Sequence, residues 1–326
     1  MIREIKENYS YNQAITFLSI FTFIFGTAVC FVGEIFLPFA AAFLAALYLF
    51  EKPNKISFAF VCPLVSIVFS SILIGPVALI GLEYVFLAFI IFICYQKSLS
   101  KAETAIYLTS VIVVFMVLSF YVRAGIVIND FSPDAVLGYY KDGYRWLRRD
   151  TVTFLSEMTA TTQDGVTKNL MSVEDAELIL NTATNSFISV IVLSAFTLAG
   201  VTEKIYSTLV LRYSKHGILK TFAHFIPSNF CAYTYIASLV LTIFISDSTV
   251  FGIAITNVNN ILLAVFLYMG LKYLIIVAKA SPKKLMIYAI IIAAFLSFTQ
   301  ATARIISYLG IWVVIGTNAH NKEASK

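Results

Sequence analysis

The chain has 326 residues, of which 60% are hydrophobic and 13% charged, and it carries a net charge of +5 at pH 7. Its mean hydropathy is +0.87. A soluble fold needs far more charge to cover its surface, so the composition excludes an ordinary water-soluble protein and predicts a polytopic membrane protein. The small positive charge requires no nucleic acid partner, because basic cytoplasmic loops account for it.

Successive apolar segments predict about nine membrane-spanning helices. They cover about residues 14–32, 36–50, 56–74, 77–95, 104–126, 186–210, 229–246, 257–278 and 285–303. The run from Ala14 to Phe50 is divided at Gly33 and Pro38, because as one helix it would be about 55 Å long and a bilayer core is only about 30 Å thick. The predicted fold class is therefore all-α, an integral membrane helical bundle. The alanine run at 40–46 favours close helix approach, either within the protein or as a docking surface.

A polar insertion at residues 129–185 interrupts the apolar pattern. It contains nine acidic and five basic residues, a net charge of −4. The insertion divides the chain into an N-terminal membrane half at 1–128, with about five spans, and a C-terminal membrane half at 186–326, with about four.

Two helix starts are visible inside this insertion. Ser132 followed by Pro133 is typical of a helix N-terminus. Apolar and aromatic residues then recur at helical spacing, which predicts an amphipathic helix that either lies on the membrane surface or packs against its own loop. Ser172 with Asp175 resembles a capping box, and the helix after it is predicted to continue without a break into the sixth span.

The basic residues of the short connections indicate the sidedness of the protein. With the N-terminus in the cytoplasm, the lysines and arginines of these connections all fall on the cytoplasmic side: Lys52, Lys55, Lys97, Lys101, Arg212, Lys215, Lys220, Lys279, Lys283 and Lys284. The opposite turns near Glu34, Gly75 and Asp247 contain no lysine or arginine. The positive-inside rule therefore predicts a multi-pass protein of the cell membrane, with a cytoplasmic N-terminus and an extracytoplasmic insertion at 129–185.

No catalytic motif is present in the sequence. There is no G-x-x-x-x-G-K-[ST], no H-E-x-x-H and no G-x-S-x-G, the three histidines are isolated, and the four cysteines are scattered singly in apolar runs. These patterns predict no catalytic residue, no metal site, no cofactor and no enzymatic activity. An intramembrane enzyme is disfavoured because no nucleophile and base are paired.

Polar residues near the outer ends of the predicted spans are the candidate site. They are Glu34, Glu83, Arg123, Asn257 and Arg304. An acid inside a membrane is costly unless it is paired or hydrated, and Arg123 lies at a similar predicted depth to Glu83. The pattern predicts an outward-opening pocket in which Glu83 and Arg123 bind a polar or zwitterionic solute. The alternative is that these side chains reach lipid headgroups or form one structural ion pair.

The C-terminal half carries a family resemblance in a set of short segments. These are Phe225-Ile226-Pro227, Leu267-Tyr268-Met269-Gly270-Leu271, the Lys283-Lys284 turn and Tyr308-Leu309-Gly310-Ile311-Trp312. In order and spacing they resemble the YybS-like family of bacterial membrane proteins. The membrane part of that family looks similar to the S components of energy-coupling-factor vitamin transporters, so the resemblance implies a solute-binding or transport role.

Two functional hypotheses follow. The first is a transport or substrate-capture subunit for a small polar solute, which a separate partner must energise because the chain has no ATPase motif. The second is a non-transporting scaffold that binds envelope or division proteins. Both place the chain in the lipid bilayer, with either an energising transporter subunit or an envelope protein as its partner.

Overall fold

The computed structural model describes residues 11–51, 57–97, 99, 101–157, 159–161, 167–169, 171–213, 227–246, 249–280 and 300–323. These residues are almost entirely helical, so the predicted all-α fold class is confirmed. The helices are α1 (Tyr11–Val32), α2 (Leu37–Phe50), α3 (Phe58–Ile74), α4 (Leu82–Gln96), α5 (Lys101–Ile128), α6 (Pro133–Glu157), α7 (Val173–Asn185), α8 (Phe187–Tyr213), α9 (Asn229–Phe244), α10 (Val250–Ala280) and α11 (Gln300–Glu323).

Short elements complete the described fold. Two 3₁₀ segments, Glu34–Phe36 and Gly75–Gly81, precede α2 and α4 respectively. Strands β1 (Thr159–Thr161) and β2 (Thr167–Asn169) pair antiparallel between α6 and α7. The 3₁₀ segment before α4 moves the start of that helix to Leu82, later than the start predicted near residue 77, because Gly75 adopts a positive φ of 72° and closes α3.

Several described helices are long and apolar enough to cross a bilayer, judged by length and composition. They are Tyr11–Val32, Phe58–Leu79, Glu103–Ile128, Phe187–Tyr213 and Val250–Ala280. Shorter apolar helices are Glu34–Phe50, Leu82–Gln96 and Asn229–Phe244. The chain is therefore a multi-pass membrane protein.

Some predictions fall outside the described residues. Most of the ninth predicted span, at residues 285–303, lies outside the described residues. Helix α11, which begins within this span, continues well beyond the predicted end at residue 303. These residues of the sidedness and resemblance arguments also lie outside the described residues: Lys52, Lys55, Lys215, Lys220, Phe225, Ile226, Asp247, Lys283 and Lys284.

The chain divides into two compact units, and the first comprises Met1–Thr151 and Ser194–Ala223. In α2, every residue from Ala40 to Ala46 is fully buried except Phe43, which is 7% exposed. Helix α2 therefore lies at the centre of this unit. Small side chains let α1 and α4 pack closely against α2. The Phe43 ring stacks on Phe21 of α1 at 5.2 Å between centroids. The alanine face is thus used for packing inside the protein and is not a docking surface.

The C-terminal part of α8 also packs in the first unit through tyrosine rings. Tyr206 meets Tyr95 of α4 edge-on, with 5.6 Å between ring centroids. Tyr213 meets Phe50 at the end of α2 in the same way, at 6.4 Å. Such edge-to-face pairs fix ring orientation as well as burying area.

The second unit comprises Val152–Leu193 and His224–Lys326, and among its described residues the core lies between α9, α10 and α11. The Tyr235 and Phe266 rings stack at 5.4 Å, with an interplanar angle of 11°. The Tyr235 hydroxyl lies 3.0 Å from the Ser307 hydroxyl of α11. Buried residues of this core are Ala232, Tyr235, Phe266, Met269, Ile311 and Val314.

The helix starts predicted in the insertion are confirmed. Ser132 precedes α6 and accepts a hydrogen bond from the Ala135 amide at 3.4 Å. Ser172 caps α7 by accepting from the Asp175 amide at 3.1 Å, and its hydroxyl donates to the Asp175 carboxylate at 2.7 Å. The predicted unbroken passage into the sixth span is wrong, because a turn at Ser186 separates α7 from α8.

Candidate functional site

Glu83 is the most unusual polar residue of the first unit. It lies in the first turn of α4, immediately after the 3₁₀ segment, and its exposed fraction is 0%. Neither carboxyl oxygen has a hydrogen-bond partner in the described structure. An ionised carboxylate in such a place needs a cation or hydrogen-bond donors, because taking it out of water without them costs several kcal/mol or more.

Glu34 lies at the turn between α1 and α2. Gly33 makes this turn with a φ of 98°, which residues with a side chain rarely adopt, and the 3₁₀ segment Glu34–Phe36 follows it. Because Gly33 follows the end of α1 and Pro38 lies in the first turn of α2, the local sequence holds Glu34 at the connection between the two helices. The Glu34 side chain is half-buried.

Arg123 belongs to α5 and reaches the same turn. One of its guanidinium nitrogens, Nη2, lies 3.7 Å from the position that a β-carbon would take on Gly33. The Arg123 side chain is exposed, and it lies five residues before the end of α5. A glycine at position 33 therefore leaves open the space in which the guanidinium lies.

The charges of these three residues interact with one another. Arg123 attracts both Glu34 and Glu83, whereas Glu34 repels Glu83. When all three are ionised the cluster carries one uncompensated negative charge. The structure brings Glu34, Glu83 and Arg123 into one neighbourhood, as the sequence pattern predicts, but Arg123 forms no hydrogen bond to the Glu83 carboxyl. A cation or a donor-rich group would balance the cluster.

Two tyrosines, Tyr140 and Tyr84, also lie in this neighbourhood. Tyr140 of α6 interacts electrostatically with Arg123, and its hydroxyl donates to the carbonyl of Phe120 on α5 at 2.5 Å. Tyr84 follows Glu83 and is fully buried, with its hydroxyl 2.6 Å from that of Ser66. A sequence signal for Ser66 is that it lies one helical turn before Ser70 in a mainly apolar helix.

The remaining two candidate residues belong to the second unit. Asn257 is buried, and its amide oxygen accepts from the Ser189 backbone at 2.7 Å while its amide nitrogen donates to the carbonyls of Asn185 and Ile253 at 2.5 and 2.8 Å. Most of its hydrogen-bonding capacity thus serves the junction of α7 and α8. Arg304 is exposed on α11. A ligand role for either residue stays a prediction.

The described residues include no group of three or more histidine, cysteine, aspartate or glutamate side chains that could hold a metal ion. Comparison with curated proteins and with solved structures finds no match. One family model does match, and it covers residues 14–312, which is nearly the whole chain. The chain therefore belongs to the DUF2232 family, described as predicted membrane proteins.

Proposed function

We propose that the protein is a transport or substrate-capture subunit of the cell membrane, and that Glu83, Arg123 and Glu34 bind a small polar or zwitterionic solute. The observation that carries this proposal is the fully buried Glu83 carboxyl, whose two oxygens lack a hydrogen-bond partner among the described residues. Side chains that only reach for headgroups end in water, and a structural ion pair is hydrogen-bonded. Glu83 fits neither description.

The three residues have complementary roles in this proposal. Glu83 receives the ammonium or another donor group of the solute, because its carboxyl is buried and unsatisfied. Arg123, exposed at the turn of α1 and α2, is suited to a carboxylate of the same solute, since a guanidinium offers several donors in a planar fork. Glu34 adds the second negative charge that makes the empty cluster favour a positive group.

The resemblance to S-component-like membrane proteins supports a capture role for this site. Such a subunit needs a separate energising partner, and the sequence contains no P-loop with which this chain could hydrolyse ATP itself. On the predicted topology the ends of α1, α4 and α5 that carry the site face the outside, so the solute would enter from there.

The experiment is a thermal-stability screen of the purified full-length protein against amino acids, polyamines and vitamins. A ligand that binds the folded state stabilises it by about 2.7 kcal/mol at a concentration one hundred times its Kd. We expect such a ligand to stabilise the wild type and to lose its effect in the Glu83→Gln and Arg123→Gln variants.

Glu103→Gln is the matched control for this screen, because Glu103 is an exposed acid at the opposite end of α5 from Arg123. The control should keep the full ligand response. The scaffold hypothesis predicts the reverse pattern: no solute in the panel stabilises the wild type, and envelope-protein binding responds to charge changes on α6. That pattern would remove the support for solute capture.

A further inference from the structure

Helix α6 presents a continuous apolar face over its first five turns. Successive helical residues are separated by about 100°, so the residues of this face share a sector roughly 100° wide. They are Val136, Leu137, Tyr140, Tyr144 and Leu147. The four basic residues of the same turns lie in the remaining part of the helix circumference: Lys141, Arg145, Arg148 and Arg149. The described segment is therefore strongly amphipathic.

Most of this face is uncovered. Leu137 and Leu147 are each 55% exposed. Val136 is buried at the start of the helix. The described residues therefore leave Leu137 and Leu147 largely uncovered. Large exposed apolar surfaces mark binding to a membrane or to a protein.

The start of α6 is attached to the end of α5, one of the candidate membrane spans. The Tyr140 hydroxyl bonds the Phe120 carbonyl, and the two rings meet edge-on at 6.4 Å. Phe131, in the connection, covers Gly125, and its carbonyl accepts from the Tyr121 hydroxyl. These contacts hold the first two turns of α6 beside the last turns of α5.

The apolar surface of α5 continues onto α6 across this attachment. Phe120 is 45% exposed and Val127 67% exposed on a helix that is long and apolar enough to cross the bilayer, so lipid is the environment that suits these two side chains. Phe131 and Leu137 extend the same exposed surface to α6. The adjoining surface of α5 thus indicates that lipid covers the apolar face of α6, because lipid beside Phe120 also reaches Tyr140.

We propose that α6, from Pro133 to Thr151, lies in the phospholipid interface at the end of α5. Leu137 and Leu147 enter the upper acyl region, and the basic residues face water and the lipid phosphates. Trp146 lies about 130° around the helix from the centre of the apolar face, so it faces water. This inference is independent of the proposed solute site.

Depth-dependent quenching of tryptophan fluorescence tests this placement. The chain has two tryptophans, Trp146 and Trp312, so Trp146→Phe and Trp312→Phe combined with Leu147→Trp leave a single tryptophan, at position 147 on the apolar face. The full-length variant is reconstituted in phosphatidylcholine vesicles that are brominated either near the headgroup end or deep in the acyl chain. We expect shallow bromine to quench the tryptophan at position 147 more strongly than deep bromine, and aqueous acrylamide to quench it weakly.

The controls use the same helix. Leu137→Glu, in the single-tryptophan background, should weaken the shallow-bromine quenching, and the polar-face variant Asp142→Asn should leave it unchanged. If this background does not fold, the difference between Leu147→Trp and the wild type gives the same quantity. Strong acrylamide quenching without bromine quenching would overturn the proposal. Protection from both quenchers would also overturn it, because a protein partner would then cover the face.

Discussion

The hydroxyl oxygens of Tyr84 and Ser66 lie 2.6 Å apart inside the first unit, beside the backbone of Gly26. A β-carbon on Gly26 would come within 2.7 Å of the Tyr84 oxygen and 3.0 Å of the Ser66 oxygen. Helices α1, α3 and α4 therefore meet at this point. The buried hydrogen bond between Tyr84 and Ser66 has room to form because the residue of α1 beside it is a glycine. Tyr84 is the residue next to Glu83, so this junction also positions the start of α4.

Gly26→Ala is expected to lower the free energy of unfolding by about 1–3 kcal/mol, the usual effect of overpacking a well-packed interior. Gly200→Ala is the control, because a β-carbon there meets nothing within 4 Å. Alanine should be neutral or slightly stabilising at that helical position. Thermal unfolding in detergent measures both variants, and equal midpoints for the two would contradict the close contact at Gly26.

The crossing of α10 and α11 depends on two glycines. A β-carbon on Gly270 would lie 2.1 Å from the Ile306 carbonyl oxygen, and one on Gly310 would lie 2.0 Å from the Phe266 carbonyl oxygen. Backbone atoms cannot move aside as a side chain can, so alanine at either position must separate the helices. We expect a loss of at least about 2 kcal/mol, at the upper part of the overpacking range.

Gly316→Ala is the matched substitution for this crossing, since Gly316 is also on α11 and faces open space. Its thermal midpoint should equal that of the wild type. A Gly310→Ala variant as stable as Gly316→Ala would show that the helices do not approach as closely as described.

Glu83→Gln should leave the stability of the ligand-free protein unchanged or raise it. The substitution removes a carboxyl that has no hydrogen-bond partner in the described structure, so no hydrogen bond is lost, and the burial of a charge and its repulsion from Glu34 are relieved together with the attraction to Arg123. A structural ion pair predicts the opposite, because removal of one partner from a buried pair costs about 3–5 kcal/mol. Thermal unfolding without added ligand separates the two cases, and a large destabilisation would exclude the solute role of Glu83.

Asn257→Ala should destabilise the junction of α7 and α8 by about 1–3 kcal/mol, because it leaves the buried Ser189 amide without its acceptor. Hydrogen exchange is the direct measurement: the Ser189 amide should exchange faster than in the wild type. Asn260→Ala removes only a 3.2 Å bond to the Ser186 hydroxyl and should have a smaller effect. Unchanged exchange at Ser189 would contradict the assigned hydrogen bond.

The predicted sidedness has its own test. An Asp142→Cys variant places a thiol on α6, and a membrane-impermeant maleimide should label it in intact cells. Lys97→Cys, in a connection predicted to be cytoplasmic, should be labelled only after the cells are permeabilised. The opposite labelling pattern would place the insertion in the cytoplasm, and with it the opening of the proposed site.

Much of the helical organisation could be predicted from hydropathy and helix-start signals. The predicted spans agree with α1, α2, α3 and α9 to within about three residues at each end. This agreement follows because a bilayer imposes both a length and an apolar composition on every crossing. Helix α4 was less well predicted, since an apolar sequence does not show where a 3₁₀ segment changes to an α-helix.

The sequence pattern pointed to Glu34, Glu83 and Arg123 but not to their geometry, and a role for Asn257 and Arg304 of the second unit stays a prediction. An acid at position 83 and a base at position 123 stand out in apolar sequence, yet no sequence pattern shows that Glu83 is fully buried and that Arg123 lies against Gly33. The Ser66–Tyr84 bond was missed for the same reason. Each of these facts depends on distances between helices that are far apart along the chain.

The sequence by itself determined that this protein is helical and embedded in a membrane, because the free energy of placing residues in lipid depends mainly on their composition and order. Only the tertiary structure decided which helices touch, at which glycines they cross, and which carboxyl is left without a partner. Those properties depend on packing at the scale of a single atom, where a β-carbon at Gly26, Gly270 or Gly310 would already be too large.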